Sequence, residues 1–144
     1  MIEFFWVIVV KNRSELREII MKVLYQVYIM QNTNALYDIP SLIKEQLEVE
    51  NDFVNNCIYG VLDKQDKIST LANKYLVDWN IDRLSKVDKA ILSLGIYELI
   101  YTDTPSVVAI NEAIELSKKY SDEKVTKMIN AALDKIYHNE DIHE

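Results

Sequence analysis

Residues 110–135 read INEAIELSKKYSDEKVTKMINAALDK, two amphipathic helical patterns separated by a short polar break. Ile110, Ala113 and Ile114 fall at core spacing, three and four residues apart, which is the period of a helix with one buried face. Thr104-Pro105 supplies a cap followed by proline at the first helical position, so the spacing predicts helices over about 105–119 and 122–137.

The same period extends backwards through the chain. Only two Gly and two Pro interrupt its 144 residues, so strands have little room and the expected fold class is all-α. Asn12 caps a first helix, with Glu15 three residues on to complete a capping box. That helix runs to about residue 31 and buries Leu16, Ile20, Val23, Leu24 and Val27. Further helices are expected at about 40–49, 52–64 and 66–77, the second burying Phe53, Val54, Cys57, Ile58, Val61 and Leu62. After Trp79 comes a short helical turn, then a long helix from about Ser85, buried through Val87, Ile91 and Leu94. Gly95 inside it costs about 1 kcal/mol relative to Ala, which points to close approach by another helix.

At 49% hydrophobic residues the chain has enough apolar material for a single core. The opening MIEFFWVIVV is about ten apolar residues, half of the roughly 20 needed to span a bilayer. Glu3 precedes the run and Lys11-Asn12-Arg13 follows it, the reverse of a secretory leader. It reads as an element covering an apolar surface, a self-association element that would make a homodimer, or an upstream start outside the working protein. The expected layout is thus an apolar extension at 1–11, a helical domain at 12–137 and a polar tail at 138–144.

Catalytic ingredients are missing. Gly60 and Gly95 stand alone in helical patterns, so no glycine loop cradles a phosphate, and no nucleophile elbow or zinc-helix motif occurs. The only histidines, His138 and His143, lie five apart in the tail. The single Cys57 excludes an internal disulfide and reads as a core residue. Glu98, Glu112 and Glu115 are read as solvated or structural, and no metal or cofactor is expected.

The formal charge of −7 argues against a general nucleic-acid coat, yet it is unevenly placed. Residues 11–28 hold Lys11, Arg13, Arg17 and Lys22 against Glu15 and Glu18, and residues 117–137 hold five lysines, Lys124 and Lys127 among them, against three acids. Residues 38–66 carry seven acids against two lysines. Arg13, Arg17 and Tyr25 share a ridge at four-residue spacing on the first helix. Such a ridge suits a phosphate backbone with an unpaired base to stack, or it is a snorkelling arginine edge beside a half-buried tyrosine.

NRSELREIIMKVLYQ at 12–26, WNIDRLSKVDKAIL at 79–92 ending in Tyr97-Glu98-Leu99, and VAINEAIELSK at 108–118 followed by INAALDK at 129–135 together resemble the NusB family of transcription antitermination proteins. The motifs run in the family's order over about residues 12–137. The resemblance implies a compact bundle of about seven helices in two subdomains, non-enzymatic and cytoplasmic. It also implies binding of boxA-type single-stranded RNA together with the ribosomal protein NusE, within the RNA polymerase antitermination complex of ribosomal RNA operons.

By position, Lys11, Arg13, Arg17 and Tyr25 fall on the RNA-binding first-helix region and Lys124, Lys127 and Asn130 on its last-helix counterpart, while Asp82 and Asp88 occupy acidic positions associated with NusE. The chain departs from the family where Ser14 and Glu15 replace often basic residues and where Met128-Ile129-Asn130-Ala131 lacks the usual aromatic and glycine. Two other readings stay open: a NusB-like accessory domain of a ribosomal RNA cytosine methyltransferase, and a protein-binding helical scaffold. Asn111 and Glu112 are expected to organise the preceding loop, and Asn130 is either a helix-packing residue or an RNA contact.

Overall fold

The computed structural model describes residues 11–142; the expectations for the apolar residues 1–10 lie outside them, as does His143. Among the described residues seven α-helices form: α1 (Arg13–Thr33), α2 (Ile39–Gln46), α3 (Asp52–Asp63), α4 (Gln65–Tyr75), α5 (Lys86–Tyr101), α6 (Ser106–Tyr120) and α7 (Glu123–Asn139), with one 3-10 turn, Ile81–Arg83, ahead of α5. The described residues contain no strand, and none of their helices is long and apolar enough to cross a membrane.

Local chemistry sets the ends. The Asn12 side chain accepts from the Glu15 N–H while the Glu15 carboxylate accepts from the Asn12 N–H, so two donors that the helix leaves unpaired are satisfied together. Asp38, Asn51, Ser85 and Asp122 cap α2, α3, α5 and α7 in the same sense. Asn34 ends α1 in the left-handed region at φ 55, a conformation asparagine tolerates.

Helix α5 is the axis of the bundle. It is apolar on nearly all sides, burying Ala90, Ile91, Leu92, Leu94, Ile96 and Leu99, the pattern of a helix surrounded by others. It packs on α1, α3, α4, α6 and α7, so the amino-terminal group α1–α3 and the carboxy-terminal group α4–α7 share one continuous core. A Cβ added at Gly95 would meet the Ala113 Cβ and Leu133 Cδ1 at 3.2 Å each, which is the close approach by α6 and α7 that an interior glycine implied.

Candidate nucleic-acid interface

The polar architecture centres on a buried charge cluster joining α1, α5 and α6. Arg17 is 3% exposed and Glu98 1%. Arg17 Nε donates to Glu98 Oε2 at 2.7 Å and Nη2 to Glu98 Oε1 at 2.8 Å, while Nη1 reaches Glu112 Oε1 at 3.2 Å. The two-pronged contact matches the planar guanidinium to the carboxylate. Burial works against the Arg17 cation, yet the Glu98 hydrogen bond and the charges of Glu98 and Glu112 outweigh it and hold its pKa above the ordinary arginine value. Thr104 Oγ1 donates to Glu98 Oε1 at 3.1 Å, and Ser14 Oγ to Glu112. Glu112 therefore organises α1 across the interface rather than the loop before its own helix.

This overturns the expected edge position of Arg17. A ridge of four-residue steps turns by about 40° each step on a helix of 3.6 residues per turn, so its middle dips into the core. Arg17 and Met21 are buried, while Arg13 and Tyr25 at its ends are exposed. Arg13 lies with its guanidinium 4.0 Å from the Phe53 ring centroid of α3, a cation–π contact. Lys11 is exposed just before the cap.

Two grooves lead from α1 to α7. The first is lined by Ser14, Glu15, Glu18, Glu112, Glu115, Leu116, Lys118 and Lys119, the second by Ile114, Lys118, Ser121, Glu123, Thr126, Lys127 and Asn130. Lys118 belongs to both, so they adjoin. Across the first, Lys119 Nζ donates to Glu18 Oε1 at 2.5 Å and the Tyr120 hydroxyl to the same oxygen. The Lys119 and Tyr120 hydrogen bonds hold the Glu18 carboxyl below the usual carboxylate range. Tyr25 lies two turns along that face of α1. Lys127 and Asn130 are both exposed and line one groove. Lys124 is exposed on another flank of α7, with Nζ 5.8 Å from the Trp79 ring centroid.

The two acids expected to face a protein partner separate. Asp82 is exposed and pairs with Lys89 Nζ at 3.1 Å. Asp88 is 8% exposed: its N–H donates to the Ser85 hydroxyl at 3.1 Å, and its carboxylate accepts from Ser121 at the end of α6. A carboxylate in the first turn is favoured by the unpaired N–H groups there. The expectation that Asp88 is offered to a partner is thereby corrected, because its acceptor oxygen is turned inward onto α6. Lys118 on the groove and the Glu98–Arg17–Glu112 cluster went unassigned from sequence; the only prior sign of the cluster was three charged residues at positions a strictly apolar stripe would fill.

Among the described residues no group of His, Cys, Asp and Glu side chains could hold a metal ion. The model of the NusB family matches residues 14–138. The chain is 36% identical over 134 residues to the transcription antitermination protein NusB of Clostridium perfringens, covering 89% of this chain and 98% of that one. Its fold is similar to that of NusB from T. maritima, with a TM-score of 0.79 and 31% identity over 91% of this chain and 94% of that one. It is also similar to a chain of the crystal structure of the antitermination factors NusB and NusE in complex with dsRNA, with a TM-score of 0.74 and 26% identity over 88% and 96% of the two chains.

Proposed function

The chain belongs to the NusB family, and from that premise we propose that it is a cytoplasmic, non-enzymatic transcription antitermination factor. It binds boxA-type single-stranded RNA together with NusE as part of the RNA polymerase antitermination complex in ribosomal RNA operons. The observation that carries the reading is the exposed groove holding Lys118, Lys127 and Asn130, continuous with the groove at the first turns of α1. Its lysines are exposed and pair only with surface carboxylates of their own helices, Lys118 with Glu115 and Lys127 with Glu123, contacts a phosphate can replace. Asn130 adds an amide donor and acceptor, which suits a ligand that is positioned rather than chemically changed. Lys11, Arg13, Tyr25, Lys124, Lys127 and Asn130 are the proposed RNA contacts and Asp82 the proposed NusE contact. Arg17 and Asp88 act as positioning residues that fix α1 and α6.

The domain layout proposed is a helical RNA-binding body at 12–137 between the apolar residues 1–11 and the tail at 138–144. The methyltransferase reading is not favoured, since the C. perfringens relative is matched over 98% of its own length and so has no room for a catalytic domain. Titrating labelled boxA-type RNA with and without NusE tests the proposal. Binding that NusE tightens is the expected result; no binding in either condition sinks it.

A further inference from the structure

Roughly a third of a turn around α7 from Asn130 lies a third groove, of about 240 Å³, lined by Tyr75, Val77, Trp79, Lys124, Met128 and Lys135 among others. Its wall is the link between α4 and the 3-10 turn, and that link is held rigidly. Leu76 and Ile81 are buried on either side of Trp79. The Leu76 N–H donates to the Ala72 carbonyl at 2.9 Å, and the Ile81 N–H to Asn73 Oδ1 at 2.8 Å. Asp78 turns the chain at φ 61. Between these anchors Trp79 stays 39% exposed and Val77 65%. Tyr75 is fixed by its hydroxyl, which donates to Glu140 Oε2 at 2.5 Å.

The rim is cationic, and Lys124 already lies 5.8 Å from the centroid of the Trp79 ring. Among the described residues neither Lys124 nor Lys135 has a carboxylate partner, whereas Lys127 pairs with Glu123 at 3.4 Å and Lys74 with Glu140 at 2.9 Å. The two lysines sit eleven residues apart, about 16 Å along the helix axis, and both line the groove together with the exposed indole. An apolar peptide would use the floor of this groove and bring no anion to either lysine. A single nucleic-acid strand brings an aromatic face and a phosphate in every unit, and so uses both.

We propose that the Trp79 groove is a base-stacking subsite that takes one unpaired nucleotide of the bound RNA, its base on the indole and its neighbouring phosphates beside Lys124 and Lys135. The subsite deepens the RNA-binding reading above and rests on it. A base inside a duplex has both faces covered by its stacked neighbours and cannot reach an indole, so this subsite makes the protein prefer single strands over the same sequence in duplex form.

The chain has two tryptophans, Trp6 and Trp79, so Trp6→Phe in the full-length protein leaves Trp79 as the sole indole emitter. Titration with a boxA-type single-stranded oligoribonucleotide is expected to quench its emission in step with binding read by anisotropy of the labelled RNA, and the duplex is expected to do so weakly. Trp79→Ala should weaken single-strand binding about ten- to hundred-fold and erase the preference over duplex, and Trp79→Phe should restore most of it. Lys124→Ala with Lys135→Ala, both on the surface, gives a second reading that does not depend on the loop's folding. If Trp79→Ala and the double lysine variant bind like the parent while Arg13→Ala binds less tightly, the subsite is wrong and the RNA reading stands. Emission that responds to NusE alone assigns the groove to the protein partner and overturns the subsite. A parent that binds no RNA with NusE present overturns both.

Discussion

Arg17 faces two carboxylates, Glu98 buried at 1% exposure and Glu112 partly exposed, and removing it leaves the buried Glu98 without its ion-pair partner. Breaking a buried pair from one side costs about 3–5 kcal/mol, whereas replacing both members by apolar residues is often neutral. Arg17→Ala is therefore expected to lower stability in urea by about that much, and Arg17→Met with Glu98→Leu to recover most of the loss. RNA binding of whatever Arg17→Ala protein remains folded separates a positioning residue from a contact, since a contact would lose affinity in the double variant as well. Cys57 makes an independent case. Burial pushes its thiol from the ordinary 9.0 up to about 12, and burial likewise pushes Tyr28 from 10.0 to about 12. Both hold their protons more tightly folded than unfolded, so stability is complete below their unfolded values and falls as pH rises from about 9 toward 12. Cys57 should stay unreactive to a disulfide exchange reagent at pH 8 and react only as the chain unfolds, and the urea midpoint should drop between pH 9 and 11. That Cys57 is a core residue was legible from its neighbours Val54, Ile58 and Val61. The fate of Arg17 was not, because spacing on one helix places a residue on a face without saying which other helices cover that face.

Elements were the most legible scale, since most boundaries carry a local signal; the expected Thr104 cap of α6 is the exception, because Pro105 is itself the N-cap, without a side-chain bond, and Thr104 Oγ1 donates to Glu98 instead. Asn12 with Glu15 and Ser85 ahead of Asp88 mark helix starts by side-chain bonds that need no tertiary context. Only the ends shift: α2 stops at Gln46 and α4 at Tyr75, two or three residues before the apolar period lapses, because Leu47 and Leu76 are already extended and turn inward to pack. Gly95 shows how an interior residue is decided by its neighbours. Alanine there gains about 1 kcal/mol of helix propensity, but its Cβ would sit 3.2 Å from Ala113 Cβ and from Leu133 Cδ1. Leu133 can turn aside; Ala113 can yield only by moving α6. Overpacking of this kind costs about 1–3 kcal/mol, so Gly95→Ala is expected to destabilise by about 1 kcal/mol net, and Gly95→Ala with Ala113→Gly to do so less than the sum of the single changes. Thermal melts of the three variants check this; a stabilised Gly95→Ala would mean that α5 and α6 are not in close contact.

Across the whole molecule the sign of the net charge misleads and its distribution informs. A chain of −7 binds a polyanion only where local cations outweigh the rest. Its densest acids, from Asp38 to Asp66, lie on α2, α3, the start of α4 and the segments flanking them, and none of them lines the α6–α7 groove. The sequence carried this segregation in plain view, but not the adjoining of the α1 and α6 grooves through Lys118, which depends on how α6 is laid across α1. For the protein partner, Asp82→Lys should impair assembly with NusE and leave binding to RNA alone intact, because a like charge is then offered to a basic surface; equal loss of both, read by sedimentation and RNA titration, would indicate a folding defect. The RNA footprint itself has a thermodynamic signature. If Lys11, Arg13, Lys124 and Lys127 neutralise three or four phosphates, log affinity should fall against log salt with a slope of roughly −2 to −3, since each phosphate on a single strand contributes about 0.7. Because Arg17 is enclosed by Glu98 and Glu112, it adds nothing to that slope, whereas Arg13→Ala or Lys127→Ala should each make it shallower by about 0.7. The slope isolates the cations that meet phosphate from those that hold the fold, a distinction that affinity alone does not draw. Measured by anisotropy between 50 and 300 mM salt, over which the Debye length falls from about 14 Å to about 6 Å, a slope near zero would remove the electrostatic footprint from the proposal.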